Sequence, residues 1–288
     1  MSSGGRISIV TPSFRPGPWL KLCVASVADQ AGVEVEHLVQ DSCSDDGTAE
    51  WLAADPRVRA FIEKDQGMYD GINRGLRRAG GDIFAYLNCD EQYLPGALGR
   101  VRDFFAAHPE VEVLFGDALL VDERGAPLSY RRMVRPLRAH VRLVHLNTLT
   151  CATFFRGSII ERGHLFDLRW KAIGDAAWMD ELLRAKVPMA TLPEPLAAFT
   201  FTGANLGASP GAMQEMVALR GGAWKAAVVP LLKLHHRYRK WRAGAYRSHA
   251  VEYALYTQRS PERRESFSAP QLGYGWPHHL AVPVTDRA

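Results

Sequence analysis

Cysteine is scarce in this chain and scattered. The 288 residues contain four, Cys23, Cys43, Cys89 and Cys151, with no C-x-x-C pair and no clustered histidine beside them. That argues against a disulfide framework or a zinc site and fits a reducing compartment. Long apolar runs are missing too. Nothing approaches the roughly 18 uncharged apolar residues that span a bilayer, and the opening MSSGGRISIV has no signal-peptide core. The expected location is the cytoplasmic side. No G-x-G-x-x-G follows the first apolar run, and there is no G-x-x-x-x-G-K-[ST] or G-x-S-x-G. These absences exclude the dinucleotide fingerprint, the P-loop and the hydrolase elbow. The stretch DSCSDDG from Asp41 suggests a calcium loop, but Asp46 stands where glycine is needed and Leu52 where a bidentate glutamate is needed. No internal repeat occurs.

What is present is an ordinary globular composition, 47% hydrophobic and 23% charged. A chain of this length buries roughly 75% of its unfolded surface, so core size is no obstacle. The net charge is +4, yet Met216 to Val251 holds eight basic residues and no acidic one. The rest is therefore mildly acidic. A basic segment on an acidic body does not suit nucleic-acid binding.

The first hundred residues alternate strand and helix signals. Strands are expected at Arg6–Phe14, Val35–Asp41, Val58–Glu63, Asp82–Leu87 and Val111–Phe115. Helices are expected at Trp19–Gln30, Thr48–Ala54, Tyr69–Ala79 and Pro95–Ala107. Such alternation implies βαβ units and an α/β fold with a mostly parallel sheet flanked by helices. Ligands then bind beyond the carboxyl ends of the strands, where strand order reverses. Further on, Asp122–Gly125 reads as a hairpin turn between Leu119–Val121 and Leu128–Arg131, Gly174–Lys186 as a helix and Ala198–Thr202 as a strand. A helical, amphipathic pattern begins at Met213 and gives way to a polar tail after Ser260.

The residues following the strands carry the candidate chemistry: Thr11 to Phe14, Asp41-Ser42, Lys64 to Gly67, and Asn88 to Glu91. A hard divalent cation takes one or two carboxylates plus phosphate oxygens, so Asp90 at a strand end suits a metal-bound nucleoside diphosphate. Asp41 is placed to accept hydrogen bonds from a base or ribose. Both are also ordinary helix-cap and turn residues.

Taken in order, ISIVTPSF, EHLVQDSCSDDGT and IEKDQGMYDGINRGLRRAGGDIFAYLNCDE resemble the family 2 glycosyltransferases of GT-A (Rossmann-like) fold. Thr11 to Arg15 match T-P-[ST]-[YF]-[NR]. Asp41, Ser44, Asp46, Gly47 and Thr48 match D-x-x-S-x-D-G-T. Asp65, Gly67, Tyr69, Asp70, Asn73 and Gly75 match D-x-G-x-Y-D-A-x-N-x-G. Asn88-Cys89-Asp90 stand at D-x-D. The likeness covers residues 6–100 well and extends weakly to Gly203.

The resemblance implies that Thr11, Pro12, Phe14 and Asp41 hold a nucleoside, uridine first among them, with Asp65, Asn73 and Asn88 lining the same site. It implies that Asp90 ligates Mg²⁺ or Mn²⁺. Asn88 replaces the first carboxylate of D-x-D, and Glu91 can compensate. Asn73 is equally read as a structural residue. Family members place a general base at the start of a later helix, and Asp175 is the match; helix capping would also explain its type. Asp180, the reserve, points about 140° away on the helix, so the two do not share one site. Trp178 reads either as a sugar platform or as core. Arg131, Arg132 and Arg135 lie in an acid-free stretch and read as a diphosphate clamp or as solvated surface. His145, His164, His235 and His236 show no ligand spacing.

Trp224–Tyr246 mixes aromatic, Leu and basic residues as membrane-interface helices do, or else packs on the body with a basic outer face. Pro230 is expected to kink it. The division implied is a catalytic domain over 1–205 and a helical, basic extension over 206–288. The expected activity is inverting transfer of a sugar from a nucleotide-diphosphate donor to a hydroxyl of a glycan or lipid-linked saccharide in polysaccharide biosynthesis. The rivals are a sugar-phosphate nucleotidyltransferase and a non-catalytic nucleotide-sugar-binding relative.

Overall fold

The structure, a computed structural model, describes residues 5–202, 210–220 and 228–277. The expected domain boundary at 205–206 and the start of the basic segment, Trp224 and Lys225, lie outside the described residues.

The first apolar run is strand β1 (Ile7–Ser13), buried along its whole length, as a central parallel strand covered on both faces should be. It pairs in parallel with β2 (Val35–Asp41) on one side and β4 (Ile83–Tyr86) on the other, and β2 pairs with β3 (Arg59–Ile62). Helices α1 (Trp19–Ala28), α2 (Thr48–Ala54) and α3 (Met68–Arg78) make the crossovers. The order β3-β2-β1-β4 reverses direction at β1. The carboxyl ends of β1, β2 and β4 therefore meet at one crevice. Helix α3 lies directly on β1: a Cβ on Gly75 would sit 2.4 Å from Val10 Cγ1.

Beyond β4 the sheet becomes mixed. It continues through β8 (Thr153–Arg156), β6 (Val113–Asp122), β9 (Met189–Phe201) and β5 (Glu91–Tyr93), with β7 (Pro127–Arg131) as a hairpin on β6. Helices α4 (Ala97–Ala107), α5 (Arg138–Leu143), α6 (Ser158–Glu161) and α7 (Gly174–Arg184) complete the body.

Three expectations are corrected here. The two short strands expected around 111–121 are one continuous β6. Gly116 and Asp117 look like turn residues, but Gly116 makes room for Leu196, and buried Asp117 is held by Arg132 at 2.7 Å, Tyr130 Oη at 2.8 Å and the Met133 N–H at 2.8 Å. Second, β9 begins nine residues before the expected Ala198. Its prolines are tolerated at an irregularity where Gly116 pairs Leu192 and Asp117 pairs Pro195.

The third concerns the expected polar tail. Helices α8 (Pro210–Arg220) and α9 (Val229–Arg242) supply the helical stretch, and Pro230 opens α9 rather than kinking it, in the first turn where its missing N–H costs nothing. The residues after Arg242 then form an antiparallel pair, β10 (His249–Thr257) and β11 (Ser260–Leu272). Val251, Tyr253, Leu255 and Thr257 alternate inward, and the apolar ones pack with Leu94, Leu119, Tyr130 and Ala198 of the body. Arg264 locks the pair in place, donating to Asp29 at 2.6 and 2.7 Å and to the Tyr93 and Ala254 carbonyls.

Candidate active site

The loops after β1 and β2 are tied together by Asp41. Its carboxylate is 0% exposed and accepts from Ser13 Oγ (2.8 Å), Ser44 Oγ (2.7 Å) and the Ser44 N–H (2.7 Å), three of the roughly four acceptor positions a carboxylate offers. Arg15 closes the second link. Its N–H donates to Ser44 Oγ, and its guanidinium grips Asp45 through two bonds of 2.7 and 2.6 Å. Arg15 and Cys43 hold left-handed backbone angles, φ 46° and 58°, the kind of local strain that a surrounding network must maintain. Phe14 stands 52% exposed on this platform, with the Lys64 ammonium 5.0 Å from its ring centre.

Thr11 departs from expectation. Its hydroxyl is buried beneath the sheet, 2.8 Å from His37 Nε2, so its side chain supports the strand and does not face a ligand. Pro12 is buried beside it. Asp65 is half-buried at the rim; it accepts from the Gly67 N–H at 2.9 Å, and its own N–H donates to Ser42 Oγ.

For Asn73 the structure favours the structural one of its two readings. Its amide nitrogen donates to the Phe166 carbonyl at 2.8 Å and its amide oxygen accepts the Phe166 N–H at 2.9 Å, which engages both ends within the protein. The consequence is positional. Phe166 stacks on Tyr69 at 5.3 Å, and the Tyr69 hydroxyl accepts the Asp175 N–H at 3.3 Å. A Cβ on Gly174 would come within 2.6 Å of the Tyr69 ring, so glycine is what lets α7 start there. The α3 motif thus seats the helix that carries Asp175.

At the end of β4 the chemistry changes. Asn88 Oδ1 and Glu91 Oε1 are enclosed without a hydrogen-bond partner, Glu91 Oε2 accepts the Asn88 N–H at 2.8 Å, and no other described residue donates to the half-buried Asp90 carboxylate. Burial raises Asp90 above the usual carboxylate range. Glu91 is raised by burial and then by the charges of Asp90 and Asp175. Asp175 is raised as well, by burial, against the lowering effect of the Ala176 N–H at 2.8 Å. It lines a cavity with Tyr86, Leu146, Thr150, Trp178 and Met179. The end of β4 and the start of α7 therefore form one acidic region, with no cation among the described residues set against it. Hard oxygen donors within four residues fit a divalent ion that completes its shell with phosphate and water. Among the described residues no three His, Cys, Asp or Glu side chains could hold a metal by themselves.

Three further candidates are engaged within the protein. Asp180 pairs with Arg138 at 2.9 Å. Trp178 is buried, donates to the His164 carbonyl and stacks on Phe166 at 4.9 Å. Arg132 pairs with Asp117. Sequence reasoning assigned no role to Lys64, Ser44 or Tyr69, although all three stand in or beside the motifs.

Residues 8–162 match the family model for glycosyl transferase family 2. The chain belongs to that family. A Bacillus subtilis protein named as a teichuronic acid biosynthesis glycosyltransferase is 28% identical over 128 residues, 43% of this chain and 50% of its own length. A PGL/p-HBAD biosynthesis glycosyltransferase of Mycobacterium tuberculosis is 31% identical over 177 residues, 58% of this chain and 66% of its own. The chain thus spans between half and about two thirds of these relatives. In fold, this family 2 member is similar to Staphylococcus aureus TarS (residues 1–349) solved with UDP-GlcNAc, at a TM-score of 0.58 and 17% identity, covering 82% of this chain and 73% of that one. A Pyrobaculum calidifontis mannosyltransferase solved with GDP-Man and Mn²⁺ aligns at 0.54 and 16%, covering 83% and 72%. The GT-A glycosyltransferase fold accounts for both.

Proposed function

We propose that this family 2 member transfers a sugar from a nucleoside-diphosphate donor, UDP-linked in the first instance, to a hydroxyl of a glycan or lipid-linked saccharide, with inversion, in polysaccharide or glycolipid biosynthesis. The observation that carries the reading is the uncompensated acidic region in which Asp90 and Glu91 at the end of β4 approach Asp175 at the start of α7. Residues 1–205 carry the reaction in this scheme.

The Phe14 ring offers a face to the base, with Lys64 beside it and the Asp41 network holding both loops; Asp65 and Asn88 border the ribose and diphosphate. Mg²⁺ or Mn²⁺ would be held by Asp90 with Glu91 and Asn88, and when bound supplies charge neutralisation to the departing diphosphate. Asp175 takes the acceptor hydroxyl proton onto its carboxylate. The acceptor oxygen bonds to the anomeric carbon as the opposite carbon–oxygen bond breaks, and that electron pair leaves with the diphosphate. Burial suits Asp175 to this task by making it a stronger base than a solvated carboxylate. The Tyr69 hydroxyl and the Phe166–Asn73 clamp fix where it stands.

Titration calorimetry with UDP, GDP, dTDP and CDP, each with and without Mn²⁺, tests the donor site. One nucleotide binding in a metal-dependent manner that Asp90→Ala abolishes is expected; no binding by any of them would sink the reading.

A seat on anionic membrane belongs to the same proposal. No described helix is long and apolar enough to cross a membrane. On α9, however, Leu231, Leu234, Tyr238 and Trp241 are exposed at helical spacing, with Lys233, Arg237 and Arg242 on the same helix, the pattern of an interfacial helix facing the anionic cytoplasmic leaflet. Flotation with anionic vesicles, lost for Trp241→Ala with Leu234→Ala, checks it.

A further inference from the structure

On the inner side of α9 lies a group of cationic side chains with no carboxylate among them. Lys240 is 4% exposed; its ammonium donates to the Tyr274 hydroxyl at 2.7 Å and lies 3.4 Å from His145 Nε2. Arg131, also buried, stacks on the Tyr274 ring at 4.4 Å, and its Nε is enclosed without a partner. His236 and His140 are buried with their Nδ1 atoms 3.3 Å apart, and His236 Nε2 has no partner either. These residues come from β7, α5 and the loop after it, α9, and the segment after β11.

The charges acting on the group are themselves cationic. Burial and then Arg131 bring Lys240 down to about 8. Burial with Lys240 foremost among its neighbours brings His236 to about 3. Arg239 adds to the repulsion on His236 and His140. The nearby carboxylate of Asp117 is engaged by Arg132, Tyr130 and Met133. Taking a cation out of water costs several kcal/mol unless a counter-charge is supplied, and no described residue supplies one here. Histidines at this density suggest a metal, but the described residues contain no three groups able to hold one. His145 is exposed and Tyr274 half-buried, which gives the cluster a mouth.

We infer that this cluster is a binding site for a phosphate-class anion, a phosphate monoester or diphosphate group, with Arg131 and Lys240 at its base, His236 Nε2 as a further donor and His145 with Tyr274 at its mouth. Guanidinium and ammonium together suit such an anion in charge and geometry. His145 adjoins Leu146, which lines the cavity of Asp175, and adjacent Cα atoms are about 3.8 Å apart. The cluster therefore adjoins the cavity of Asp175 along the chain. The assignment rests on the cluster itself and stands whether or not the transfer reaction above is correct.

The test is calorimetry of inorganic pyrophosphate on the full chain without metal, in two buffers of different ionisation enthalpy. Wild type is expected to bind with net proton uptake, because the anion draws Lys240 and the imidazoles toward their charged forms. Lys240→Met should weaken binding by about ten- to a hundredfold, the range of one charge-assisted hydrogen bond, and Lys240→Arg should recover most of it. Thermal melting shows that each variant folds, and pyrophosphate should raise the melting temperature of wild type but not of Lys240→Met. No binding by wild type, or undiminished binding by folded Lys240→Met, overturns the inference. Competition with UDP identifies the source: displacement means the donor's own diphosphate, and simultaneous binding means a phosphate group on the acceptor.

Discussion

Two clusters of opposite sign lack a counter-charge among the described residues. At the end of β4, Glu91 feels the charges of Asp90 and Asp175, with no cation among the described residues set against them. Along the inner side of α9, Arg131 and Lys240 face histidines with no carboxylate. Elsewhere charges are paired in the usual way, as Arg264 with Asp29 and Arg132 with Asp117. Uncompensated burial is expensive in either sign, and the proposals above assign a ligand charge to each cluster. They differ in origin. The acidic pocket is built mainly from one short segment, whereas the basic one draws residues from Arg131 to Tyr274, 143 positions apart in the chain.

The sharpest way to break this pairing is to remove the base of the acidic side. Asp175→Asn should lower kcat by about 10²- to 10⁴-fold, the range for general-base assistance, with nucleotide affinity nearly unchanged. Its effect on stability should run the other way. The folded carboxyl titrates above its ordinary value of 3.8, so the folded state binds the proton more tightly and ionisation at neutral pH opposes folding. The asparagine variant should therefore melt at an equal or higher temperature at pH 7. The acid limb of the kcat profile should lie above the ordinary carboxylate range, with activity falling as pH drops through it and that limb absent in Asp175→Asn.

Next in size is the seat of that base. Asn73→Ala leaves the Phe166 N–H and carbonyl unpartnered, at about 1–3 kcal/mol per orphaned group. Denaturant melts should show that loss, and kcat should fall while UDP affinity holds. A fall in UDP affinity alone would restore Asn73 to the nucleotide site. The smallest effect belongs to the basic side. Lys240 titrates at about 8, below its ordinary 10.5; between those values the unfolded chain binds more protons, so stability rises with pH across that window. Lys240→Met should flatten the rise in melting temperature measured from pH 8 to 10.5.

How far the sequence revealed this contrast follows from the same geometry. The half of the sheet ordered β3-β2-β1-β4 was legible because its strands are short, apolar-rich segments alternating with helical ones, and the motif residues follow their ends directly. Asp90 and Asp175, the residues given roles in the proposed reaction, were singled out by position. Thr11 was read as facing the nucleoside and Asn73 was left between ligand and structural roles, because a motif says which residues recur together and not whether a side chain faces ligand or core; the contacts with His37 and Phe166 show where each points. β10 was hidden because its alternation, Val251, Tyr253, Leu255, follows a long basic helix and was read as more of it. Of the cluster around Lys240, the sequence marked Arg131 as a clamp candidate and Lys240 as part of a basic segment, but nothing in it joined the two.

The clamp at Arg264 has a consequence for biogenesis. It joins residues 235 positions apart in the chain. While a ribosome is still translating, the strands around β1 can pair as soon as Tyr86 emerges, yet the apolar surface at Leu94, Leu119, Tyr130 and Ala198 stays uncovered until β10 and β11 follow. Contacts of such long range slow folding, and for most of synthesis the nascent chain presents a sticky flank. Chaperone engagement should therefore concentrate on that flank and end when Arg264 reaches Asp29.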